Sequence, residues 1–189
     1  MDEKDFIKGD EVQDGDILVA LYSEGLEATS IPFVRVMLER NRTMAMDKID
    51  EEHYFIDEAL KPNQAYRWIM EKLHREGFIH AAYKVSNSFL HPGPFDTMPE
   101  EYYAEINLDT IRVTPLYEYL HHLDMVGERF LPHRFNVGVS MILAVPRDRK
   151  KEVLKMVNEE GQGYVIGQIR KVEEGQKDKI KVEGKIQWK

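Results

Sequence analysis

The sequence predicts an α+β fold, and three consecutive segments near its C-terminal end carry that expectation. Val137 to Val145 is a near-continuous apolar run with no helical period, as expected of a strand covered on both faces. Pro146 ends it, because proline cannot donate to a sheet ladder. Asp148 to Glu160 follows as a helix, with Asp148 as the predicted cap and Val153, Leu154, Met156 and Val157 as its apolar stripe. Gly161 and Gly163 stop that helix, and Tyr164 to Ile169 begins another strand. A right-handed crossover of this kind places both strands in one sheet.

Composition narrows the function classes. The chain has 189 residues, enough for one domain with a well-buried core, and its 42% hydrophobic and 32% charged content is globular. A formal charge of −8 argues against a nucleic-acid footprint, which needs a concentrated basic face. No cysteine is present, which excludes disulfides, thiolate catalysis and a cysteine zinc site. No apolar run reaches membrane-span length, and the acidic Met1 to Asp5 is not a signal peptide. The expectation is a cytoplasmic protein with neither a nucleic acid nor a membrane as partner.

From the N-terminus, Asp14-Gly15-Asp16 is a turn signal and Ile17 to Leu21 a buried strand. Ser23-Glu24-Gly25 breaks it, and Ala28-Thr29-Ser30 supplies a cap ahead of Pro32. Ile31, Val34, Met37 and Leu38 then recur at helical spacing. Asn41 to Lys61 is acidic; Tyr54-Phe55-Ile56 reads as a short strand or an anchoring turn. Glu52, His53 and Asp57 lack a diagnostic ligand spacing, so a solvated loop is favoured over a metal site. Pro62-Asn63 opens a helix whose inward face is Ala65, Trp68, Ile69 and Leu73, with Gly77 as C-cap.

Phe78 to Val85 follows as a strand, and Lys84 at its end reads either as a solvated lysine or as a point cation for phosphate or carboxylate. His91-Pro92-Gly93-Pro94 is a rigid turn, and Ala104 to Leu108 alternates like a strand with one exposed face. Thr114-Pro115 opens a helix with Leu116, Tyr119, Leu120 and Leu123 inward and Gly127 as terminator. His121 and His122, adjacent on it, diverge by about 100° and cannot form a zinc-helix pair. Arg170 to Lys189 mixes Lys and Glu around Ile180, Val182 and Ile186, a terminal hairpin or edge strand.

Three segments also carry a family resemblance. Phe135, Asn136, Gly138, Met141, Val145 and Pro146 match F-N-x-G-x-G-M-x-x-x-V-P, and Val165, Ile166, Gly167 and Ile169 match the V-I-G-x-I strand beyond it. Ser23, Gly25, Val34 and Arg35 fit L-P-S-x-G-x-H-S-N-G-Y-S-L-V-R, while Ile79, His80, Ala81, Ala82 and Leu90 fit I-H-A-A-A-H-I-T-G-G-G-L. The chain thus resembles the C-terminal domain of the aminoimidazole ribonucleotide synthase (phosphoribosylformylglycinamidine cyclo-ligase) superfamily, which implies an α+β domain with helices packed on a mixed β-sheet.

The departures fall on the polar positions. Glu27 stands where the family has histidine, Ala28, Thr29 and Ser30 replace serine, asparagine and glycine, and Lys84 replaces a second histidine. Ser86 replaces threonine, Asn87-Ser88-Phe89 replace three glycines, and Ser140 replaces the second glycine of the last motif. A glycine-rich turn lets backbone N–H groups converge on phosphate, and Phe89 is bulky there, although Asn87 tolerates a left-handed backbone.

The resemblance implies that Ser23, Gly25, Arg35, Asn136 and Gly138 frame a substrate cleft with Glu27 and Lys84 as its altered polar groups; no catalytic residue is assigned. It further implies that residues 1–189 are a single C-terminal-type domain without the N-terminal domain that supplies the ATP- and magnesium-binding aspartates. The expectation is a cyclo-ligase-related protein of purine biosynthesis, inactive alone, holding no cofactor or metal itself and meeting ATP and Mg²⁺ only through a partner. Expected partners are a second copy or a separate ATP-binding-domain protein, and a phosphorylated small molecule. The alternative is a non-catalytic binding or assembly module that kept the fold.

Overall fold

The computed structural model describes residues 7, 9–123, 130–173 and 178–189, Phe130 by its backbone alone. One mixed sheet of six strands runs in the order β2-β4-β1-β5-β3-β6. Its strands are β1 (Ile17–Tyr22), β2 (Ala81–Lys84), β3 (Tyr102–Asn107), β4 (Val139–Val145), β5 (Gly163–Lys171) and β6 (Ile180–Glu183). The described α-helices are α1 (Ile31–Arg40), α2 (Phe55–Ala59), α3 (Arg67–Arg75), α4 (Pro115–His122), α5 (Phe130–Arg134) and α6 (Lys150–Glu160).

The strand-helix-strand expectation holds, with one addition. β4 and β5 lie in one sheet and are joined by α6, but β1 sits between them, antiparallel to both. The two strands therefore run the same way without touching. β1 is the centre: Leu18, Val19, Ala20 and Leu21 have no exposure at all. Its side chains alternate between faces, as strand geometry requires. Ile17, Val19 and Leu21 pack with Ile69 and Leu73 of α3 and with Val153 and Val157 of α6. Leu18 and Ala20 pack on the opposite face with Val34 and Met37 of α1 and Leu116 and Leu120 of α4.

α3 ends where expected and for the expected reason. Gly77 has φ +66°, its N–H donates to His74 O at 3.0 Å, and Phe78 N–H donates to Leu73 O at 2.9 Å. That pair of bonds satisfies two carbonyls that the helix leaves open. Its start differs. The helix begins at Arg67 rather than at Pro62-Asn63, because the Asn63 side chain is engaged by Ser23 and Leu26. Trp68 is 72% exposed, not core: Ile69 and Leu73 set the buried stripe, and Tyr66 fills the interior beside them.

Other boundaries differ locally. Ser30 precedes α1 but its hydroxyl caps nothing, and Ile31 is half exposed. Asp148 lies in a 3₁₀ turn, Arg147–Arg149, so Arg149 occupies the cap of α6. Tyr54-Phe55-Ile56 is neither strand nor bare turn: Phe55 opens α2, and Tyr54 N–H donates to Asp57 Oδ2 at 3.2 Å. In α4 Leu116, Tyr117 and Leu120 are buried, while Gly127 lies outside the described residues. Beyond β5 the chain forms an edge strand rather than a hairpin, since β6 pairs parallel to β3. No described helix is long and apolar enough to cross a membrane.

Candidate functional site

Strand directions decide where the three motif segments meet. β1 and β2 each run antiparallel to β4, so the C-terminal ends of β1 and β2 and the N-terminal end of β4 share one end of the sheet. The loops leaving β1 and β2, and α5 with the turn entering β4, close over that end. Between them lies a cleft of about 790 Å³, lined by Thr29 and Phe33, by Lys84, Ser86, Asn87, Ser88 and His91, and by His133, Arg134 and Phe135. Phe33 and Phe135 form an aromatic wall, their ring centroids 5.0 Å apart.

Two glycines fix the frame. A Cβ on Gly25 would lie 2.6 Å from Asn63 N and 2.7 Å from Lys61 O, so only hydrogen fits. Gly138 adopts φ +109°, and a Cβ there would lie 2.8 Å from Arg112 O. Val137 just before it sits at φ +42°, in a region costly for a β-branched residue. This turn swings Asn136 inward. Asn136 is fully buried, and its Oδ1 accepts from the Tyr117 hydroxyl at 3.0 Å. The same hydroxyl lies 3.3 Å from Ser30 Oγ, and burial pushes the Tyr117 phenol up to about 12.

Ser23 is equally interior. Its hydroxyl donates to Asn63 Oδ1 at 2.9 Å and accepts from Gln64 N–H at 3.1 Å, while its N–H donates to Gly138 O at 2.9 Å. Ser23, Gly25, Asn136 and Gly138 thus brace the loops from behind and do not line the cleft. Arg35 lies elsewhere, its side chain 77% exposed and paired with Glu39 along α1 at 2.9 Å.

Glu27 and Lys84, by contrast, meet. Lys84 Nζ donates to Glu27 Oε1 and lies 3.2 Å from Ser140 Oγ and 3.3 Å from Ser140 O. Ser140 Oγ in turn donates to Glu27 Oε1 at 3.3 Å. Glu27 is 7% exposed, whereas the Lys84 side chain keeps 48% of its surface open along the cleft. Three separate departures from the family motifs therefore form one polar cluster. Sequence spacing alone gave no sign of it: Glu27 and Lys84 are 57 residues apart, and Ser140 is 113 from Glu27.

The segment that replaces the glycine run also behaves differently from its reading in sequence. Phe89 is fully buried and obstructs nothing, and Ser88 Oγ donates to Pro132 O. Asn87 is not left-handed; among the described non-glycine residues Val137 alone has positive φ. His91, His133 and Arg134 bring further basic groups to the rim, a gathering that no single motif signalled.

Among the described residues no three His, Asp or Glu side chains are grouped to hold a metal. His53 is bound to Asp50 at 2.9 Å, which holds that carboxyl down at about 2, and Asp57 is engaged by the Tyr54 N–H.

The fold places the chain in a class first: its mixed sheet and helices are those of aminoimidazole ribonucleotide synthase-like proteins. Hydrogenase maturation protein HypE shares the fold with a TM-score of 0.59 at 16% identity, over 92% of this chain and 51% of that one. Thiamine-monophosphate kinase from Stenotrophomonas maltophilia K279a does so with a TM-score of 0.58 at 18% identity, over 95% and 54%. In sequence, the chain is a relative of proteins named phosphoribosylformylglycinamidine cyclo-ligase. It is 27% identical over 171 residues to that of Bacillus mycoides (strain KBAB4), covering 88% of this chain and 49% of the relative. The protein of Bacillus cereus (strain Q1) is 28% identical over the same shares. The resemblance carried by the three motif segments thus extends over most of the chain, while the chain spans about half the length of the curated relatives it matches. No family model matches it.

Proposed function

We propose that this chain is a cyclo-ligase-related protein of purine biosynthesis, cytoplasmic, that holds a phosphorylated small molecule in the Lys84 cleft and does not close the imidazole ring unaided. The observation that carries this reading is the chemistry of the cleft. Lys84, His91, His133 and Arg134 line it, and no carboxylate does among its described lining residues. A concavity lined by basic side chains with an aromatic wall suits a small anionic ligand with a planar portion.

Ring closure driven by ATP needs charge stabilisation of a transferring phosphoryl group, and this reading assigns that task to the ATP-binding domain of the superfamily. In this reading ATP and Mg²⁺ act through a partner, a separate ATP-binding-domain protein, and this chain is a C-terminal-type domain. The test is turnover of ATP and formylglycinamidine ribonucleotide by the purified chain, with and without an ATP-binding-domain protein of this superfamily. No product alone, and product with the partner, is expected. Turnover by the chain alone would contradict the reading.

A second reading, a non-catalytic assembly module, is favoured by one specific feature. Leu26, Ile31, Val34, Leu38, Ile56 and Leu60 line an apolar groove of about 520 Å³, with Ile31 52% and Leu60 74% exposed. Surface of that kind favours self-association. Light scattering separates the readings: a dimer supports the module, and a strictly monomeric species counts against it.

A further inference from the structure

Lys84 is not simply a lysine near a cleft. Its ammonium has three N–H donors. All three face an acceptor: Glu27 Oε1, Ser140 Oγ at 3.2 Å and Ser140 O at 3.3 Å. The two Ser140 contacts are long, and the half-open side chain exposes the ammonium to the cleft, where an anionic oxygen competes with them. Glu27, nine-tenths buried and itself accepting from Ser140 Oγ, cannot turn away to solvent.

We propose that Glu27, Lys84 and Ser140 form a built oxyanion anchor in which Lys84 offers its half-exposed ammonium to a ligand phosphate or carboxylate while Glu27 and Ser140 act as positioning residues that hold it and moderate its charge. The proposal rests on the reading of the cleft as an anion site and assigns the residue that does the binding. Glu27 has two opposed effects. Its hydrogen bond fixes the ammonium, and its negative charge lies one group behind the ligand and weakens the attraction. Glutamine at this position keeps an accepting oxygen and removes the charge. Two unit charges a few ångströms apart at a protein surface interact strongly enough that the second effect dominates, by about tenfold in affinity.

The two kinds of oxyanion are separated by the probes, ribose 5-phosphate and succinate, titrated calorimetrically into the full chain at low and high salt. Glu27→Gln is expected to bind the preferred probe about tenfold tighter and with a steeper salt dependence. Lys84→Met alone leaves Glu27 buried without its cation and risks misfolding. The double variant E27Q/K84M removes both charges together, and it is expected to fold with a native circular dichroism spectrum and to lose binding. A phosphate-only response assigns a phosphorylated ligand, and a succinate-only response a carboxylated one; each supports the anchor. A folded double variant that binds as wild type does would overturn the anchor while leaving the anion cleft standing. Failure of the wild-type chain to bind either probe at millimolar concentration would overturn both.

Discussion

Two buried polar clusters occupy the same end of the sheet, share the loop between β1 and α1, and differ in what they offer a ligand. Tyr117, Ser30 and Asn136 form a neutral cluster in which no member is more than 1% exposed. Glu27, Lys84 and Ser140 form an ionic one whose lysine is half open to the cleft. The first has no donor or acceptor facing solvent, so its role ends with fixing the turn between α5 and β4 and the start of α1. The second keeps a cation at the surface while burying its counter-ion. A polar network thus becomes available to a ligand when one member reaches out and the others cannot follow.

The largest expected effect strikes the turn both clusters lean on. Gly138→Ala forces an L side chain into φ +109° against Arg112 O, and is expected to cost about 3 kcal/mol in urea unfolding. Preserved stability would show that the turn adapts and that the clusters do not depend on it. Next is Lys84→Met, which strands the Glu27 carboxylate. Because the lysine is half exposed, the loss is about 1–2 kcal/mol, less than for a fully buried pair. Tyr117→Phe follows at about 1 kcal/mol, since it removes one buried hydrogen bond and leaves Asn136 Oδ1 without a donor. The comparison demands that the two variants split. Lys84→Met must change oxyanion binding, and Tyr117→Phe must not.

Alkali sharpens the contrast further. Burial raises the Tyr117 phenol from 10.0 to about 12, so the folded state favours its neutral form. The stability this contributes is fully present below pH 10 and is lost as pH rises through 12. Other tyrosines titrate there as well, so the informative quantity is the wild-type loss minus that of Tyr117→Phe, which should be positive. A zero difference would mean that Tyr117 ionises as readily in the folded chain as in the unfolded one. The smallest effect is expected of Ser140→Gly, about 0.5 kcal/mol, with weaker oxyanion binding as the lysine loses one restraint.

Where a local rule governs, the sequence was readable. The apolar run of β4, the stripe of α6, the central β1 and the Gly77 terminus of α3 each follow from periodicity or from a positive φ that glycine supplies. Insertion of β1 between β4 and β5 was not readable, because crossover handedness says nothing about a strand from elsewhere in the chain. Trp68 failed for a related reason. Tyr66 competes for the same interior, and nothing local tells which aromatic wins. The motif departures marked Glu27, Lys84 and Ser140 one at a time. Their meeting depends on the loop after β1 folding over the neighbouring ends of β2 and β4, which spacing does not encode. Arg35 matched its motif position, yet its helix turns it to solvent beside Glu39.

The most direct test is to follow the lysine side-chain ammonium signals by NMR while ribose 5-phosphate is titrated into the 189-residue chain. One lysine resonance, assigned to Lys84 by its loss in E27Q/K84M, should shift saturably as the ligand binds. Saturable binding with that resonance unmoved would contradict the account.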